Sequence, residues 1–214
     1  MTLAEPTLRQ DDIYFYTYPG TRAKRVHWTL EELQLTYILV NVALNEGAHK
    51  RDDYLAIHPL GKVPALSIGG QTLIESMAIV TYLADCYPEQ GLAPTINSPL
   101  RADYCQWMAF AVATLEPAVM EAIRSAKLTP EERQLADLGP AQTSFESAMG
   151  YLTRTLAKRS FLVGKQFSLA DLMVGSVLIW ADGNDLLSEY PRMQKWLETL
   201  KQRPAYQIVQ CVQP

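Results

Sequence analysis

The sequence predicts a two-part chain: an α/β domain of order β-α-β-α-β-β-α, followed by an all-α helical bundle domain. Three observations predict it. Strand-forming runs alternate with amphipathic runs as far as residue 87. A cluster of turn formers, Pro88-Glu89-Gln90-Gly91-Leu92-Ala93-Pro94, then breaks the composition. Beyond it no strand pair can be read. The boundaries expected are 12–88 for the first domain, 89–98 for the linker and 99–214 for the second domain. A chain of 214 residues that is 48% hydrophobic can bury cores of that size.

The first strand is Ile13-Tyr14-Phe15-Tyr16-Thr17, rich in strand formers and ended by Pro19-Gly20. Ala23, Val26, Leu30 and Leu33 then recur at helical spacing, with Glu31 and Glu32 opposite. Tyr37-Ile38-Leu39-Val40 is the second strand, and the polar segment Glu46 to His58 reads as a short, irregular helix. Val63-Pro64 leads into a hairpin: Ala65 to Ile68, a Gly69-Gly70 turn, and Gln71 to Ile74. Glu75-Ser76 opens a helix whose apolar stripe is Ile79, Val80, Leu83 and Tyr87.

Leu100 to Lys127 predicts a long helix, roughly 40 Å if unbroken, with a kink at Pro117. Thr129-Pro130-Glu131-Glu132 combines a capping box with proline at the first helical position. Gly139-Pro140 should break or kink the chain before a helix over Ala141 to Lys158. Ser168-Leu169-Ala170-Asp171 is a second cap, with Asp171 in the place of the usual Glu. The helix it opens, from Leu172 through Trp180, is apolar nearly all round and belongs at the centre of a bundle. Met193, Trp196, Leu197 and Leu200 mark a further amphipathic helix.

A formal charge of −4 supplies no basic field for nucleic acid or an anionic membrane. Arg22, Lys24 and Arg25 form a short basic cluster that reads as the wet face of a helix. Residues 1–12 lack the apolar core of a signal peptide, and no apolar run has membrane-spanning length. Cys86, Cys105 and Cys211 are odd in number and widely spaced, with no CxxC, which fits a reducing, cytoplasmic setting. His27 and His58 sit beside apolar residues with no metal-ligand spacing around them, so no metal is expected.

Chemistry concentrates in residues 61–87. A strand that begins at proline leaves backbone groups exposed at a sheet edge, and a helix N-terminus attracts a carboxylate. Together they suit a small peptide-like ligand carrying an acid. Ser76 is also a good N-cap, yet Ile79 three residues on completes no capping box, so the helix end remains available to an outside anion.

The stretches PGTRAKRVHWTLEEL, DDYLAIHPLGKVPAL, ESMAIVTYLADCYP and FSLADLMVG, in this order, resemble the cytosolic glutathione transferase family over nearly the whole chain. The resemblance implies a thioredoxin-like first domain that holds glutathione and a helical second domain that walls a pocket for an electrophile. It implies a cis Val63-Pro64 bond that turns the Val63 N–H and C=O toward the cysteinyl part of glutathione. Lys62 is similar in place to a family residue at the glycyl end, and Lys50, with His49, is a candidate for the glycyl carboxylate. Glu75 and Ser76 would take the γ-glutamyl end.

The group that stabilises the glutathione thiolate is open among three side chains. Tyr16 falls where tyrosine-type relatives carry their catalytic residue, Thr21 resembles the serine of serine-type relatives, and Tyr18 replaces the cysteine of omega-like ones. Tyr14, Tyr16 and Tyr18 alternate along a strand and can instead pack, while Thr21 can simply cap a helix. The absence of cysteine from residues 14–25 disfavours mixed-disulfide chemistry through an enzyme thiol. Tyr104, Trp107, Met108 and Ala111 share one helix face, readable as bundle core or as the wall of the second-substrate pocket. The family resemblance implies a homodimeric transferase that conjugates glutathione to small hydrophobic electrophiles. A glutathione-dependent disulfide or peroxide reductase and a non-catalytic binding protein are the alternatives.

Overall fold

The computed structural model describes residues 12–129, 131–132 and 139–211, with the backbone alone for 139–141. The chain forms two compact units. One runs to Leu83 and takes in the chain from Ile208; the other spans Ala84–Gln207.

The first unit carries a four-stranded sheet of order β2-β1-β3-β4, built from β1 (Tyr14–Thr17), β2 (Ile38–Asn41), β3 (Ala65–Ile68) and β4 (Gln71–Ile74). β1 and β2 are parallel, so a crossover must join them, and α1 (Ala23–Glu32) supplies it. β3 is antiparallel to both β1 and β4. Its hairpin turns through Gly69 and Gly70, both at positive φ, where glycine carries no side-chain penalty. Period-2 alternation sorts the side chains. Phe15 and Leu66 are fully buried on one face, where His27 of α1 lies 5.7 Å from the Phe15 ring. Tyr14, Tyr16 and Ala65 pack on the other face with Val42 and Tyr54.

β2 begins one residue later than the sequence predicts. Tyr37 instead turns its ring edge-on to Phe15 and His27, and its hydroxyl donates to Glu31. The segment between β2 and β3 is irregular as expected: short 3-10 turns at Leu44–Glu46 and Ala48–Lys50, then the single-turn α2 (Asp52–Leu55). Arg25 departs from expectation. Arg22 is exposed, but Arg25 is only 5% exposed and lies in the interior beside α3 (Ser76–Cys86).

In the second unit, α4 (Arg101–Phe110) and α5 (Glu116–Ala126) flank a π-helical stretch, Ala111–Leu115. The irregularity at Pro117 therefore takes the form of a widened turn just ahead of the proline. A proline has no N–H to give the preceding turn, and a π segment absorbs that loss without ending the helix. Thr129 and Glu132 exchange reciprocal capping bonds of 2.8 and 3.2 Å, while Pro130 lies outside the described residues. α6 (Gly139–Leu156) takes Gly139 and Pro140 into its first described turn, where proline has no helical partner to lose.

α7 (Leu169–Asp182) is the buried helix predicted, closed by its Ser168–Asp171 capping box. Asp171 accepts from the Ser168 N–H and hydroxyl, both at 2.9 Å, and from the Leu162 N–H at 2.8 Å. Burial pushes its carboxyl up to about 6 against the pull of those bonds. Trp180, near the end of α7, is exposed rather than central. α8 (Pro191–Lys201) buries Met193, Trp196, Leu197 and Leu200 as its periodicity requires, and α9 (Pro204–Cys211) follows. Among the described residues no helix is long and apolar enough to cross a membrane.

Candidate active site

The sheet register assembles the candidate site. Tyr16 pairs with Ala65, and Ala65 pairs with Ile74, so these three form one row across β1, β3 and β4. One or two residues beyond that row the strands give way to Tyr18-Pro19-Gly20-Thr21, Val63-Pro64 and Glu75-Ser76. Segments far apart in sequence thus meet at one end of the sheet.

Each segment has a defined local geometry. The Val63-Pro64 peptide bond is cis. Glu75 sits at φ 70°, a left-handed conformation that costs a non-glycine residue about 1 kcal/mol or more. Its carbonyl accepts the Ile79 N–H at 3.0 Å, which makes Glu75 the N-cap of α3 and Ser76 the first helical residue. The simple N-cap reading of Ser76 is corrected accordingly. Ser76 is 6% exposed, whereas the Glu75 side chain is open to solvent. From α1, Arg25 donates to Ser76 Oγ at 3.4 Å.

The three candidates for thiolate stabilisation separate by environment. Thr21 is half-buried at the start of α1. Its hydroxyl donates to the Tyr18 carbonyl at 2.6 Å and accepts the Ala23 N–H at 3.3 Å. The capping role thus occupies it at rest. Tyr18 is half-buried in the turn. Tyr16 is 8% exposed, with its ring 6.0 Å from that of Tyr54 and edge-on. Burial raises the Tyr16 pKa, a hydrogen bond with Ser67 opposes this, and Tyr14 adds a smaller upward push. Its hydroxyl therefore stays protonated.

The loop before Pro64 is pinned from beneath. The Tyr54 hydroxyl donates to the Lys62 carbonyl at 2.6 Å, and the Tyr54 ring stacks on His58. Gly61, at φ 56°, lies so close to the neighbouring turn that a Cβ would come within 2.6 Å of the His49 carbonyl oxygen. This contact brings the backbone around Lys50 beside that of Lys62, and both lysine side chains are exposed. His58 is buried, which lowers its pKa; Glu75 pulls the other way and Lys62 adds slightly to the lowering.

The aromatic stripe of α4 is buried within the helical unit. Tyr104 and Ala111 are fully buried, Trp107 and Met108 are 2% exposed, and Trp107 stacks on Tyr151 at 4.9 Å. These four pack as helical core, the other reading of the same periodicity. Three site residues escaped the sequence reading: Arg25, Tyr54 and Gly61. Tyr54 carried a signal, as the lone aromatic in a charged stretch.

The strand that follows Pro64 is internal rather than the sheet edge expected, since β3 pairs with both β1 and β4. A four-stranded sheet with an X-Pro step at the head of that strand, beside two helix N-termini and followed by an all-helical unit, defines a thioredoxin-like protein of the two-domain kind. Residues 12–85 match the family model of the glutathione S-transferase N-terminal domain, and residues 106–199 that of the C-terminal domain. The chain belongs to the glutathione S-transferase family. It is 33% identical to glutathione S-transferase GstB of Escherichia coli K12, over 89% of this chain and 93% of that one. It is 29% identical to the disulfide-bond oxidoreductase YfcG of the same organism, over 91% of each chain. A solved sphingomonad glutathione S-transferase complexed with glutathione superposes with a TM-score of 0.76 at 28% identity, covering 92% of this chain and 96% of that one.

Proposed function

We propose that the protein is a glutathione transferase that conjugates the glutathione thiolate to small hydrophobic electrophiles, with the sulfur seated at the start of α1. The convergence of Thr21, Val63-Pro64 and Glu75-Ser76 at one sheet end carries this reading. In it, the Val63 backbone groups pair with the cysteinyl part of the ligand. Ser76 and the α3 N-terminus take the γ-glutamyl carboxylate, and the exposed Glu75 side chain takes the ammonium. Lys50 and Lys62 face the glycyl carboxylate. Residues 12–88 then serve as the glutathione-binding domain, 89–98 as linker and 99–214 as the helical domain, in a homodimer.

At the sulfur, the protein has to lower a thiol pKa that starts near 8.5. The α1 N-terminus supplies positive potential, and Thr21 supplies a directed donor once its hydroxyl rotates from the Tyr18 carbonyl to the sulfur. Tyr16 supports the strand from below and Tyr18 shapes the turn. No covalent enzyme intermediate is needed, because catalysis is orientation plus stabilisation of the anion.

The test is glutathione titration, followed by turnover of a simple aryl halide and a small disulfide, in wild type, Thr21→Ala, Tyr18→Phe and Tyr16→Phe. Thr21→Ala should lower kcat/KM with the halide about 100-fold at neutral pH and raise the pH at which activity develops. Failure of the wild type to bind glutathione refutes the proposal. Similarity to YfcG favours one second reading, glutathione-dependent disulfide reduction, in which bound glutathione is the thiol. Turnover of the disulfide without turnover of the halide would establish that reading instead.

A further inference from the structure

We infer that Arg25 is a positioning residue that aims the Ser76 hydroxyl outward, making the site selective for γ-glutamyl peptides that keep their α-carboxylate. The inference rests on the proposed placement of glutathione at the α3 N-terminus.

The argument is one of hydrogen-bond valence. A guanidinium has donors and no acceptor. At 3.4 Å from Ser76 Oγ, Arg25 therefore occupies a lone pair of that oxygen and leaves the single hydroxyl proton for another acceptor. Among the described residues nothing accepts that proton, although Ser76 is only 6% exposed. A buried donor without an acceptor is costly, and an incoming carboxylate oxygen relieves the cost.

The geometry around the pair limits how else it can be satisfied. The Glu75 carbonyl is already engaged by the Ile79 N–H. Arg25 itself is 5% exposed, and its own carbonyl is held by the Thr29 hydroxyl at 2.9 Å. The charge on Arg25 polarises the hydroxyl and strengthens it as a donor to an anion. A ligand lacking the carboxylate gains none of this.

Calorimetric binding of glutathione and of its analogue lacking the γ-glutamyl α-carboxylate tests the inference, in wild type, Arg25→Gln and Arg25→Lys. Wild type should prefer glutathione. Arg25→Gln should weaken glutathione about 10-fold or more while leaving the analogue's affinity within about twofold. Arg25→Lys, which keeps charge but not the planar fork, should fall between and decides the matter if Arg25→Gln does not fold. Equal weakening of both ligands would reduce Arg25 to a packing role and overturn the inference. So would unchanged discrimination in the variant that folds. If wild type binds glutathione and only the discrimination fails to move, the functional proposal stands without this refinement. If wild type binds no glutathione, both fall.

Discussion

The Tyr54 hydroxyl donates a 2.6 Å hydrogen bond to the Lys62 carbonyl and so ties the loop before Pro64 to the aromatic floor of the sheet. Tyr54 is buried, and that bond is the direct link between the floor and the residue preceding Val63. Tyr54→Phe keeps the ring stacking and removes the bond alone. It should cost about 1 kcal/mol in denaturant unfolding and weaken glutathione binding several-fold, read by calorimetry on the same preparation.

Gly61→Ala should be worse. The position has φ 56°, and a Cβ would press on the His49 carbonyl oxygen at 2.6 Å, a backbone atom that cannot rotate away. A cost on the order of 2 kcal/mol, or several degrees in Tm, is expected. Glutathione affinity should fall with it, since the turn carrying Lys50 must move away from Lys62.

Thr21→Ser and Thr21→Ala separate two roles of one hydroxyl. Thr21→Ala removes the acceptor for the Ala23 N–H and should cost about 1 kcal/mol of stability. Thr21→Ser keeps both the cap and the donor. It should retain stability and most transferase activity, so unfolding and turnover measured together assign the cap and the catalytic contribution independently.

Asp171 gives a pH signature with a definite sign. Its folded carboxyl lies at about 6, above the ordinary carboxylate value of 3.8, because it is buried. The folded state therefore holds the proton more tightly than the unfolded state. The stability this confers is complete below pH 3.8 and is lost as pH rises through about 6. His27 and His58 have lowered pKa values and contribute the opposite slope, so wild type should be compared with Asp171→Asn. The stability difference between them should move against wild type by on the order of 2–3 kcal/mol from pH 4 to pH 7.

Much of this architecture was legible in the sequence, and the exceptions have physical causes. The β3–β4 hairpin was read to the residue because Val63-Pro64 and Gly69-Gly70 bracket it and leave no register choice. The Ser168–Asp171 cap is a local pattern and was equally legible. Arg25 was not: a basic residue next to Val26 in an amphipathic helix defaults to the solvent face. The arrival of α3 at its flank, a contact across 51 residues, cannot be read from local periodicity. Ser76 failed for a subtler reason, since the left-handed turn at Glu75 moves the cap back by one residue. The α4 stripe has the same periodicity as core or as pocket wall, and its burial is visible only in the folded unit.

The hairpin that delivers Pro64 and Glu75 to the candidate site has its tip at the other end of the same two strands. Gly69 and Gly70 are exposed there, with open space where a side chain would stand. Four residues of strand, about 13 Å, separate that tip from Pro64 and Glu75. The tip is thus a handle: a fluorophore or short peptide grafted between the glycines would report on the protein while leaving its chemistry untouched.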